Sequence, residues 1–198
     1  MRIAILSVWF ASYCLAQTRI PVVLSTDVGN EIDDQWAIVY LLLTPRFDVK
    51  GILSAHAPSI APPAGKVSLD ILRDVVEHRM GMRAHPPLVA GADEPLVDTR
   101  TPRRSPAVDF LIRVSRDYSE SNRLQVLNIG AITDVASAIL IDPTITRRIR
   151  VLNMGFHGWP KGGDEFNIAN DPRAIDQCLA NGGGGSPRTT PVTCGSGC

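Results

Sequence analysis

The sequence predicts an α/β protein built on a mostly parallel, open sheet with helices on both faces. Three observations carry this. Short β-rich runs alternate with apolar runs of helical period between residues 22 and 154, the βαβα order from which parallel sheets are made. Pro, Gly and capping residues punctuate the boundaries between runs. The densest polar chemistry falls just after strand-like segments, the edge at which open α/β sheets bind ligands.

Taken in order, residues 22–26 form a β-rich run, and residues 34–43 follow as a helix stopped by Pro45. Residues 49–54 are the second strand. Apolar side chains at 67, 69, 71, 72, 75, 76 and 80 predict a helix over 67–80. Residues 88–90 make a short third strand ended by Gly91. Ser105 and Pro106 are an N-cap and a first helical residue, followed by a broad apolar face at 107, 108, 110, 111, 112 and 114. Residues 124–129 are a buried-type strand, 133–141 a helix ended by Pro143, and 150–154 the last clear strand. Asp171 and Pro172 cap and open one more helix.

The chain has 198 residues, 44% hydrophobic and 20% charged, enough apolar material for a sizeable core. Lys+Arg and Asp+Glu both number 20, so no basic surplus exists to neutralise phosphates, and nucleic acid is excluded as the expected partner. Arg147, Arg148 and Arg150 read as a solvated face. Residues 1–16 combine Arg2, an apolar stretch over 3–13 and small residues at 14 and 16, the pattern of a secretory signal peptide. That stretch is too short for stable membrane insertion, so the expectation is a secreted or periplasmic protein. An α/β domain is expected over 17–180 and a flexible Gly-rich tail over 181–198. Cys178, Cys194 and Cys198 form no disulfide framework or zinc pattern and are read as incidental.

The most informative stretch runs from Ser25 to Asp34. It places Asp27, Glu31, Asp33 and Asp34 in and after a Gly-containing turn at the end of the first strand. Crowded carboxylates repel, so they need solvent, a helix N-terminus or a cation. Asp33 and Asp34 suit the first turn of a helix, and the whole cluster equally suits a hard, oxygen-seeking cation such as Ca²⁺.

STDVGNEIDDQWAI at residues 25–38 resembles the N-terminal signature of the inosine-uridine-type nucleoside hydrolases, commonly DTDPGxDDAxAI. GAITDVA at 130–136 and DEFNIANDPRA at 164–174 extend the likeness in the same order, each at a strand-to-helix junction. The resemblance implies a doubly wound, Rossmann-like fold and hydrolysis of the N-glycosidic bond of ribonucleosides, with Ca²⁺ as cofactor and a small-molecule nucleoside as partner. It implies that Asp27 is a metal ligand and general base, Asp34 a bidentate metal ligand, and Ile129 a metal ligand through its backbone carbonyl. It further implies that Asp33, Glu165 and Asn167 contact ribose hydroxyls. The i, i+2 spacing of Glu165 and Asn167 would put both side chains on one side of an extended segment. Dimers or tetramers are common in the family, which makes a homo-oligomer an implied state.

The departures are equally specific. Ser25 replaces the family's first Asp, Val28 its usual Pro, and the turn is two residues longer. His56 stands near an expected ligand-binding Asn and is either a polar contact or a structural histidine. Trp159 and His157 have the same ambiguity between ligand and packing roles. The family continues beyond the stretch matched here, supplying a further metal-binding Asp, whereas no Asp, Glu or His follows Asp176. The chain therefore reads as C-terminally truncated. A catalytically inactive remnant that binds ribosides or metal is the alternative. A phosphatase-type Asp-cluster enzyme is disfavoured, because Ser25 occupies the nucleophile position.

Overall fold

A computed structural model describes residues 19–155, 165–181 and 192–195. Residues 1–16, proposed as a signal peptide, and His157 and Trp159 lie outside the described residues.

The sheet grows outward in both directions from its first strand, β1 (Ile20–Thr26). On one side lie β2 (Phe47–Ser54) and the two-residue β3 (Leu88–Val89). On the other lie β4 (Leu124–Asn128), β5 (Ile149–Met154) and β6 (Val192–Gly195). The order is β3-β2-β1-β4-β5-β6 and every pairing is parallel. Strand order therefore reverses between β1 and β4, and a crevice opens at such a switch point beyond the strands' carboxyl ends.

Alternation along β1 sorts the two cores. Val22 and Leu24 face Ile38 and Leu41 of α1 (Asp33–Leu43) and Leu69 and Leu72 of α2 (Ala64–Arg73). Val23 faces the opposite side, where Leu111 of α3 (Pro106–Ser115), Ile139 of α4 (Thr133–Ile141) and Ile175 of α6 (Pro172–Asn181) cover Val126 and Val151. Helices thus lie on both faces, as the alternating pattern predicts. Near-complete burial of such side chains contributes roughly 1.5–3 kcal/mol each relative to exposure. Among the described residues no helix is long and apolar enough to cross a membrane.

Local signals explain the element ends. Ser105 caps α3 by accepting a hydrogen bond from Val108 N at 3.1 Å, with Pro106 in the first turn. Asp171 Oδ1 accepts from Ala174 N at 3.0 Å and opens α6. The helix expected over 67–80 begins earlier, at Ala64, and widens into a π turn over Asp74–Arg79. The wider turn lets the adjacent Val75 and Val76 both reach the core.

Two expectations are corrected. Part of the tail expected to be flexible, Val192–Gly195, is an edge strand on β5. Two β-branched residues in that stretch suit strand geometry, and the open edge of β5 supplies the partner. The segment carrying Glu165 and Asn167 is helical, not extended, because α5 spans Phe166–Asn170 with Glu165 as its N-cap.

Candidate active site at the carboxyl edge of the sheet

Asp27 is the first residue past β1, and its peptide begins a tight turn in which Asn30 N donates to Asp27 O at 3.1 Å. Gly29 occupies the turn with φ of 110°, a conformation that side chains with a Cβ rarely adopt. The turn hands over to α1, whose first residues are Asp33 and Asp34. Asp34 N donates to Asp33 Oδ1 at 3.1 Å, and Thr26 Oγ1 donates a short hydrogen bond to Asp34 Oδ1. Thr26 shares its face of β1 with Val22 and Leu24, which is why it meets α1. Asp27 projects to the other face, where Asn170 Nδ2 lies 3.5 Å from its Oδ2.

Both central carboxylates are nearly inaccessible, Asp27 at 1% and Asp34 at 4% exposure. Burial, and then the neighbouring Asp34, push the Asp27 carboxyl up to about 7. Burial likewise raises Asp34 to about 6, partly opposed by the Thr26 hydroxyl and assisted by Asp33 and Glu31. Two buried acids that repel one another present a strong local demand for positive charge.

One cleft gathers Asp27, Asp33, Asp34, Ile129, Glu165 and Asn167, together with Asn30, Glu31, Met154 and Phe166. Six of the seven expected site residues line this cleft, His56 being the exception. Ile129 follows β4 immediately, and its N donates to Ser25 O at 2.9 Å, which holds it beside the end of β1. Glu165 accepts from Ile168 N at 3.0 Å while lining the cleft, and Asn167 Nδ2 donates to Met154 O at 3.3 Å.

His56 is not among the lining residues. Its Nε2 lies 2.8 Å from Thr133 Oγ1, and burial lowers its pKa. A larger open groove of about 630 Å³ between β3 and α3 is lined by Arg104, Asp109, Phe110 and Arg113. It lacks converging acids, so the smaller cleft is the better candidate for chemistry.

The residues fit a hard cation as far as their donor chemistry goes: two buried carboxylates and a neighbouring backbone turn, all oxygen donors. Among the described residues, no group of three or more His, Cys, Asp or Glu side chains forms a metal cluster. Any cation here would accordingly combine carboxylates with backbone oxygen and solvent. Sequence reasoning missed Thr26 and Asn170. Both sit beside recognised acids, but only the folded topology reveals their bonds.

The sequence matches the family described as inosine-uridine preferring nucleoside hydrolase over residues 22–195. The chain belongs to that family. Solved structures agree on the fold. The inosine-guanosine nucleoside hydrolase IG-NH aligns with a TM-score of 0.67 and 19% identity, covering 89% of this chain and 59% of that one. A purine-preferring ribonucleoside hydrolase from Gardnerella vaginalis gives 0.64 and 23%, covering 88% and 60%. The plant nucleoside hydrolase PpNRh1 gives 0.57 and 22%, covering 82% and 57%. The chain thus spans a little under two thirds of the length of these structures.

Proposed function

We propose that the protein hydrolyses the N-glycosidic bond of ribonucleosides, releasing free base and ribose, with Ca²⁺ as cofactor and after export from the cytoplasm. The observation that supports this most is the convergence of Asp27, Asp34, Ile129, Glu165 and Asn167 on one cleft at the switch point of the sheet. Asp27, Asp34 and the Ile129 carbonyl would hold the ion, which when bound supplies charge neutralisation and a fixed point for ribose hydroxyls. Asp27, ionised in that setting, accepts the proton of the attacking water. Asp33, Glu165 and Asn167 orient the ribose by hydrogen bonds to its hydroxyls. Asn170, beside Asp27 Oδ2, restrains the carboxylate that takes the proton.

Ribose release from inosine and uridine by the chain lacking residues 1–16, with Ca²⁺ and with chelator, tests the proposal. Calcium-dependent release that disappears in Asp27→Ala supports it. A folded chain that releases no ribose from either substrate supports the second reading, a riboside- or metal-binding protein without turnover. Ser25 is the observation favouring that reading, since its hydroxyl is buried without a partner among the described residues, at the position where the family carries a carboxylate.

A further inference from the structure

We infer that Asn128 is a positioning residue: its amide, braced by Asn153, holds the Ile129–Gly130 turn against Asp27 and thereby fixes the backbone that enters the cleft. The inference rests on the hydrolase proposal for its functional meaning.

Asn128 is the last residue of β4 and is fully buried. Its Nδ2 donates to Gly130 O at 2.6 Å and to Asn153 Oδ1 at 2.7 Å. Asn153 is its in-register partner on β5, and Ser25 its in-register partner on β1. One amide therefore spans from the sheet to the turn just beyond it. The turn is gripped from the other side by Ile129 N donating to Ser25 O at 2.9 Å.

The turn also touches Asp27 closely. A Cβ on Gly130 would stand 2.8 Å from Asp27 N and 3.0 Å from Asp27 Oδ1. Any drift of the turn toward β1 would displace the carboxylate, and drift away would move Ile129 out of the cleft.

Asn128 Oδ1, Asn153 Nδ2 and Ser25 Oγ are buried and have no partner among the described residues. Leaving buried polar atoms unpaired is destabilising. On the face of the ladder that Asn128 and Asn153 share, the deeper rungs avoid that cost by being apolar: Val126 pairs with Val151, and Leu124 with Ile149. On that buried face the polar rung stands at the edge of the site, which is where a positioning role requires it.

Calcium binding followed by calorimetry, together with thermal unfolding, tests the inference in Asn128→Ala, Asn153→Ala and Val126→Ala. Val126 is buried on the same strand but lies three positions before the turn begins at Ile129. Asn128→Ala should weaken calcium binding about tenfold, Asn153→Ala less. Val126→Ala should lower the unfolding temperature while calcium affinity stays within about twofold of the wild type. Unchanged affinity in folded Asn128→Ala, or an equal loss in Val126→Ala, overturns the inference. If Asn128→Ala does not fold, unchanged affinity in Asn153→Ala overturns it instead. A wild-type chain that binds calcium without releasing ribose rejects the hydrolase proposal while leaving this comparison readable. One that binds no calcium rejects both.

Discussion

Thr133 donates its hydroxyl proton to Asp171, with 2.6 Å between Oγ1 and Oδ2. A threonine hydroxyl has only that proton, so its oxygen must accept from His56 Nε2, 2.8 Å away. The carboxylate also accepts from Leu96 N at 2.9 Å. One chain of hydrogen bonds thus joins the end of β2, the start of α4, the start of α6 and the loop around residue 96.

Thr133→Val should consequently cost about 1–3 kcal/mol of stability, because it leaves both His56 and Asp171 short of a buried partner. Denaturant unfolding reads the loss. Turnover per folded molecule should persist if His56 acts through this framework alone. A strong rise in KM for the nucleoside at unchanged stability would instead assign His56 a substrate contact.

Asp134 gives a pH prediction. Burial pushes its carboxyl up to about 6, opposed by Ser105 Oγ, which donates to Oδ1 at 2.6 Å, and by Ala92 N. The folded-state pKa lies above the unfolded 3.8, so the native state binds more protons between those values. The stability contribution of this group is complete below about pH 4 and declines as pH rises toward 6. Asp134→Asn should flatten that part of the profile in chelator, measured as unfolding temperature between pH 4 and 7. A profile as steep as the wild type's would contradict the assignment.

Calcium binding should have the opposite pH dependence. Asp27 at about 7 and Asp34 at about 6 must shed protons before they can hold a cation. Apparent affinity should fall progressively as pH drops from 8 to 5. Calorimetric titrations at two pH values decide it, and the proton release they report should shrink at the higher pH.

Gly130→Ala would force a methyl group to within 2.8 Å of a backbone nitrogen, which cannot swing aside as a flexible side-chain tip can. Overpacking of this kind costs about 1–3 kcal/mol. The expected result is a folded protein with calcium affinity reduced at least as much as in Asn128→Ala. Wild-type affinity would show that the turn yields without moving Asp27.

Local chemistry was legible in the sequence wherever one segment carried its own signal. Ser105-Pro106 marked the start of α3, and Thr133 to Ile141 marked α4 with its observed bounds. The acids of residues 27–34 marked the cleft because their crowding demands an explanation. What required folding to see were partnerships across the sheet. Asn170 meets Asp27 across 143 positions of sequence, and nothing in either neighbourhood announces the other. The strand Val192–Gly195 exists only against β5, and five residues of α5 are too few to establish a helical period.

The pairing of Ser25 with Asn128 has a kinetic consequence. The two halves of the cleft come from segments roughly a hundred positions apart, joined by parallel strands whose contact follows closure of that whole intervening loop. Long-range pairing of this kind is slow relative to local helix formation. During refolding the helices can therefore assemble while Asp27 and Ile129 are still strangers, and competence to bind an ion becomes a timestamp for completion of the sheet's centre.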